Sequence, residues 1–202
     1  MEIIETIVSC TFAELNAEQK TAAVEYMRDS FINDSDTFWA EYSIEDMQER
    51  IADFGITDSN IEWSGFGVQG SGASINSDCI DIETFLRKSR QWSKFRCVHK
   101  LIQDKELTFK VLRNSHHYVH EYTVSADYNI EYYVDCTSKH DDAANEISSL
   151  LTEQIRDWSK EVYNSIEKEY EYQCSDECLI DQIAANEYCF KVNDYGDVLG
   201  LV

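Results

Sequence analysis

Proline is missing from all 202 residues, which leaves the punctuation of helices and strands to glycine, asparagine, aspartate and serine. No run of about 18 apolar residues occurs, so no segment qualifies as a helical membrane span. The opening Met1-Glu2-Ile3-Ile4-Glu5 carries acids where a secretory signal would carry lysine or arginine, and a cytoplasmic location is expected. Positive charge is scarce: 17 Lys and Arg stand against 39 Asp and Glu, a net charge of −22. A surface of that sign repels nucleic acid and anionic lipid over a Debye length of about 8 Å and attracts basic protein surfaces. The expected partner is a basic protein, with no direct nucleic acid and no membrane. Glycine is also rare, at seven residues, yet Gly65, Gly67, Gly70 and Gly72 crowd into one stretch.

What is present argues for a folded chain. The 43% hydrophobic and 12% aromatic content offers enough apolar surface to offset chain entropy, and the length suggests one domain over residues 1–202. Seven cysteines, an odd number at irregular spacing, fit reduced, buried thiols better than a disulfide framework. Charge is unevenly spread. Residues 1–86 carry 18 acids and 3 bases, residues 87–113 carry 2 acids and 9 bases, and residues 114–202 carry 19 acids and 5 bases. The central basic segment is expected to pair internally, to meet a second subunit of a homodimer, or to touch nucleic acid.

A short β-prone opening (Ile3, Ile4, Ile7, Val8, Cys10) leads to Asn16-Ala17-Glu18-Gln19, a capping-box pattern that starts a helix through Ala23, Val24, Met27 and Phe31. A second helix is predicted over about 36–54, closed by Gly55. Residues 60–63 and 73–76 read as the strands of a hairpin around the glycine cluster, and 81–100 as a helix bearing most of the basic residues. Three β-prone stretches follow at 107–112, 118–124 and 128–136. From Asp141 or Asp142 to about Tyr172, Ile147, Leu151, Ile155, Trp158, Val162, Ile166 and Tyr170 draw one apolar stripe along a long amphipathic helix. Ser175 starts a further short helix, and 188–192 reads as an edge strand. These elements predict an α+β fold in which an antiparallel β-sheet, including the 61–75 hairpin, packs against several α-helices. No internal repeat, low-complexity tract or linker interrupts it.

Several constellations suggest chemistry. Gly65-x-Gly67-x-x-Gly70 has the spacing of a dinucleotide fingerprint, but that motif joins a strand to a helix whose N-terminus meets the pyrophosphate, whereas here a second strand follows. A packed hairpin presenting Trp63, Phe66 and Gln69 as loop contacts is the better reading. His116, His117 and His120, and Cys174 with Cys178, suggest metal; on a strand at most two of the histidines share a face, and a structural zinc needs four converging ligands. No metal or other cofactor is expected. A Gly-x-Ser-x-Gly elbow is lacking, and no carboxylate pair stands out as acid and base.

The long helix is more suggestive. Glu153, Asp157 and Glu161 follow at i, i+4 and i+8, about 6 Å apart in rise, and Asp142 and Glu146 precede them. Like charges at that spacing cost a few tenths of a kcal/mol per pair, while duplex DNA presents phosphates about 3.4 Å apart along each strand. A carboxylate row of this kind imitates part of a phosphate track.

Ile61 to Ala73 (Ile-x-Trp-Ser-Gly-Phe-x-x-Gln-Gly-x-Gly-Ala), Tyr118 to His120, Glu167 to Glu177 and Ala185 to Phe190 together resemble a family of small uncharacterised phage and prophage proteins, some of which carry a toxin–antitoxin label. The resemblance spans most of the chain and implies a phage or mobile-element setting, in the cytoplasm of an infected or lysogenic host, with no established enzymatic activity. The resulting expectation is a non-enzymatic, DNA-mimic-like inhibitor. It would bind a basic host protein, such as a defence nuclease, a restriction or CRISPR component, or a toxin, through Asp142, Glu146, Glu153, Asp157 and Glu161. Two alternatives are an antitoxin-like neutraliser and a small nucleotide- or metal-dependent hydrolase built on the glycine loop and histidine strand.

Overall fold

The computed structural model describes residues 7–34, 37–114, 117–131 and 137–202. In chain order the first half holds strand β1 (Val8–Thr11), helices α1 (Ala17–Asn33) and α2 (Glu41–Ala52), strands β2 (Ile56–Thr57), β3 (Asn60–Trp63), β4 (Ala73–Asn76) and β5 (Cys79–Ile80), and helices α3 (Ile82–Lys88) and α4 (His99–Gln103). Strands β6 (Leu107–Arg113) and β7 (Val124–Ile130), helices α5 (Ser138–Gln173) and α6 (Asp176–Ala185), and strands β8 (Cys189–Val192) and β9 (Val198–Leu201) complete it. The class is α+β, with small antiparallel sheets and a long C-terminal helix. By contacts the chain divides into two compact units, residues 1–39 with 168–202, and residues 40–167.

In the first unit the capping box forms as its residues dictate: Asn16 Oδ1 accepts from the Gln19 amide at 2.9 Å, and Gln19 Oε1 accepts from the Asn16 amide at 3.0 Å. Helix α1 then buries Ala23, Val24 and Met27 with Leu179 and Ile183 of α6 and Phe190 and Val192 of β8. Ser175 caps α6, its hydroxyl accepting from the Cys178 amide. The stretch read as an edge strand is instead the centre of a three-stranded sheet, β8 pairing with β1 on one side and β9 on the other. Strand β9 was hidden in the sequence by Gly200, whose positive φ and missing Cβ let the Tyr26 ring approach.

In the second unit the expected single sheet is three two-stranded ladders: β2 with β5, β3 with β4, and β6 with β7. An isolated antiparallel bridge between Ser77 and Val111 links the β3–β4 hairpin to β6. The stretch 118–124, read as a strand from its aromatic and β-branched residues, is mostly loop. There the His120 carbonyl accepts from the Thr123 amide (2.9 Å) and hydroxyl (2.6 Å), and the backbone turns through a 3₁₀ segment, Glu121–Thr123. Strand β7 therefore begins at Val124 and ends at Ile130, earlier than the predicted 128–136, whose residues 132–136 lie outside the described ones.

The helix predicted over 81–100 is broken as well. Arg90 takes a left-handed φ of 62°, and the chain continues as a 3₁₀ segment, Trp92–Val98, with non-helical angles at Phe95. Phe95, Val98, Leu101 and Ile102 are buried along the broken stretch.

Helix α5 holds this unit together. It buries Ala143, Ala144, Ile147, Leu151, Ile155, Trp158, Ser159, Val162 and Ile166, each fully buried aliphatic contributing about 1.5–3 kcal/mol relative to exposure. It also satisfies the outer edge of β7. Thr152 Oγ1 accepts from the Ala126 amide (2.8 Å), Ser148 donates to the Ala126 carbonyl (2.7 Å), and Arg156 donates to the Val124 carbonyl (3.2 Å). An edge strand is thereby covered by side chains.

Candidate functional site

The glycine cluster forms the connection of the β3–β4 hairpin, with Trp63 opposite Ala73. Ser64 clasps its base: its amide donates to the Gly72 carbonyl at 3.0 Å, and its hydroxyl accepts from the Gly72 amide and donates to the Val119 carbonyl. A Cβ on Gly70 would fall 2.4 Å from the Tyr118 ring, and one on Gly72 would fall 2.7 Å from the His120 Cα. These two glycines thus make room for the 117–123 loop. Trp63 stacks on Phe66 (5.5 Å, 27°) and Phe66 meets Tyr163 of α5 at 5.6 Å, so both aromatics are half-buried against the helix. Of the three residues read as loop contacts, Gln69 is the exposed one. A hydrogen bond between Ser71 and Tyr163 also ties the loop to α5; burial lifts the Tyr163 phenol above its ordinary range while that bond opposes the shift.

Asp142, Glu146, Glu153, Asp157 and Glu161 all lie on the exposed side of α5. Two of them are already engaged: Glu146 pairs with Lys94 and Glu161 with Arg50 at 2.6 Å, both half-exposed bridges of the kind that contribute about 0–1 kcal/mol. Asp142, Glu153 and Asp157 make no ion pair among the described residues. Exposed Lys160 shares their face, three residues beyond Asp157 and seven beyond Glu153. That spacing was visible in the sequence. The basic segment pairs internally in part, through Lys94, through Arg87 with Glu83, and through Arg113 with Glu62.

His117 and His120, considered as metal candidates, belong instead to a cluster of aromatic rings. His117 meets Tyr118 edge-on at 4.7 Å, Tyr118 lies 6.3 Å from His120, and His120 lies 6.0 Å from Tyr122. The Arg156 guanidinium sits 5.7 Å from the Tyr122 ring centre. These rings, from residues adjacent in sequence, form a ladder from the glycine hairpin to α5, and Gly70 and Gly72 leave the space in which Tyr118 and His120 sit. His116 lies outside the described residues. Cys178 is buried beside Gln173 and Gln182, and burial pushes the Cys174 thiol up. Among the described residues, no three His, Cys, Asp or Glu side chains converge as metal ligands.

A family model described as a domain of unknown function, DUF8835, matches residues 39–176. The chain belongs to the DUF8835 family. No curated protein and no solved structure matches it. The DUF8835 region contains the glycine hairpin, the aromatic ladder and every acid of the α5 face named above, whereas β1, α1, β8 and β9 lie outside it.

A cavity of about 780 Å³ in the DUF8835 region is lined by residues of β2, β5, α3 and β6 among others. Two of its acids are committed locally. Asp81 accepts from the Thr84 amide and hydroxyl, and Glu83 from Arg87. Cys79 is exposed there, but a hydrogen bond to the Asp58 carboxylate, a small desolvation and the charges of Asp58 and Asp78 hold its thiol above the usual range. The protonated thiol is a poor nucleophile. Asp58→Asn removes the main cause, and asparagine accepts the positive φ of 49° at this position. Iodoacetamide labelling of Cys79 at pH 8, followed by mass spectrometry, is expected to run faster in that variant than in the parent protein.

Proposed function

We propose that this DUF8835 protein is a non-enzymatic inhibitor of phage or prophage type that binds a basic, nucleic-acid-handling host protein in the bacterial cytoplasm and occupies its groove. The supporting observation is the exposed face of α5, where Asp142, Glu153 and Asp157 make no ion pair among the described residues, on a helix whose other face is buried. Packing holds those carboxylates in a fixed relation before binding, so little order is lost when a partner's Lys and Arg arrive. The Glu146–Lys94 pair divides the row into an Asp142 patch and a Glu153–Asp157 patch, and Lys160 with the Glu161–Arg50 pair bounds the second patch. The mimicry is therefore of separate phosphates and not of a continuous track. A defence nuclease, a restriction or CRISPR component, or a toxin is the kind of protein that offers the complementary groove.

Capture from a bacterial host lysate tests this reading, with the parent protein and an Asp142→Asn/Glu153→Gln/Asp157→Asn variant compared at low and high salt. Nucleic-acid-binding proteins are expected on the parent protein at low salt, with sharp loss both at high salt and in the variant. Capture that ignores salt and the three substitutions rejects the reading. The protein itself is expected to retard neither DNA nor RNA in a mobility-shift gel.

A further inference from the structure

The aromatic ladder has more exposure than packing needs. Tyr122 is 70% exposed and Tyr118 46% exposed, although their loop is fixed by the Ser64–Val119 hydrogen bond and by the fit of Gly70 and Gly72. Two large rings are thus held in place with their surface turned to solvent. At the α5 end of the ladder, Tyr122 already carries a guanidinium, that of Arg156, over its ring. Glu153 lies one helical turn before Arg156 and Asp157 directly after it, both exposed.

From this combination we infer that Tyr118 and Tyr122, together with Glu153 and Asp157 on the helix whose Arg156 already covers the Tyr122 ring, form a docking surface for an arginine-rich segment of a partner protein. The inference rests on the acidic-inhibitor reading and adds which basic side chain the surface selects. Arginine matches both halves. Its planar guanidinium stacks on a tyrosine face, as Arg156 does within the chain, and its fork presents paired N–H donors to a carboxylate. Lysine satisfies the carboxylates as a point charge but is more strongly hydrated and gains less from the ring. The charge complementarity is local as well as global, since the two carboxylates lie on the helix that carries the guanidinium and the whole chain is at −22. Single-stranded nucleic acid also stacks on exposed rings, but this charge opposes it.

The test uses the full chain and two labelled peptides of equal length and charge, nona-arginine and nona-lysine, with binding followed by fluorescence anisotropy at two salt concentrations. The parent protein is expected to prefer nona-arginine by about threefold to fivefold, the scale of an exposed cation–π contact. Tyr122→Ala is expected to erase that preference while leaving nona-lysine binding unchanged, and Tyr122→Phe to keep it. Glu153→Gln/Asp157→Asn is expected to weaken both peptides alike. Because Tyr122 is mostly exposed, circular dichroism should show the variants folded. Equal affinity for the two peptides, or a preference that survives Tyr122→Ala, overturns the docking inference and leaves the acidic reading standing. Failure to bind either peptide at low salt overturns both. Binding of oligo-dT that depends on Tyr122 assigns the ladder to nucleic acid and overturns the inference in another way.

Discussion

Trp158→Ala should destabilise the protein by about 3–5 kcal/mol, the range for removing a large aromatic from a packed core. The side chain is 1% exposed and lies in the apolar stripe of α5, with Ile155 and Val162 fully buried a turn before and a turn after. Phe54, just past the end of α2, packs on it edge-to-face at 5.1 Å and 67°. That geometry adds about 0.5–1.5 kcal/mol beyond the area buried. The void left by alanine would sit between α5 and the residues that close α2, where rigid backbone on both sides limits collapse. Urea unfolding followed by far-UV circular dichroism measures the loss. Trp158→Phe, which retains a ring against Phe54, is expected to lose less. A change under about 1 kcal/mol for alanine would mean that the α5 stripe is not the core it is taken to be.

The second large effect is expected at glycine, and a series of single alanine substitutions separates its causes. Gly55 has a φ of +83°, and a Cβ there would stand 2.7 Å from the Asp81 carbonyl oxygen and 2.9 Å from the Thr84 Cβ. Alanine would meet left-handed strain of about 1–2 kcal/mol together with overpacking of about 1–3 kcal/mol. It would also disturb the 2.7 Å bond from the Asp81 amide to the Gly55 carbonyl, at the residue that caps α3. Gly67 has the positive φ (+73°) but open space around it, so only strain applies; Gly72 has ordinary φ but the His120 backbone 2.7 Å away, so only crowding applies. Gly65 has neither. Thermal melts are expected to rank the alanine variants from Gly65, near neutral, through Gly67 and Gly72, to Gly55, the most destabilised. A neutral Gly55→Ala would show that the turn between α2 and β2 relaxes freely.

Local chemistry was legible where it acts over a few residues. Asn16 and Gln19 announce the start of α1, and the spacing from Ile147 to Ile166 announces α5, because capping and helical periodicity are decided within one or two turns. The hairpin around the glycines followed from the strand on each side. Most of the failures share one cause, a long-range partner that overrides composition. Residues 118–124 have strand-like composition, but Gly70, Gly72 and Ser64 supply a surface on which that segment turns. Residues 81–100 have helical composition, but the chain breaks at Arg90, which takes a left-handed φ with no glycine to mark it. Strand β8 reads as an edge until Val198–Leu201, disguised by Gly200, pairs with its second side. The acid row was legible as a helix face, and Lys160 was legible on it too; what could not be read was that Lys94 and Arg50, distant in sequence, would occupy two of its carboxylates. The aromatic ladder was visible as a run of His and Tyr, but its contact with Arg156 of α5 and its seat on Gly70 and Gly72 were not.

The unit formed by residues 1–39 and 168–202 has a consequence for how the protein is made. Val8 pairs with Val192, so β1 leaves the ribosome long before the strand it must join. Every residue of the other unit, 40–167, is available before the first unit has its second half. During that interval β1 and the apolar side of α1, with Ala23, Val24 and Met27, have none of their α6 and β8 neighbours. The exposed apolar surface is what chaperones recognise. A message cut short after codon 167 would yield a chain holding the whole 40–167 unit beside an N-terminal segment that never finds its sheet.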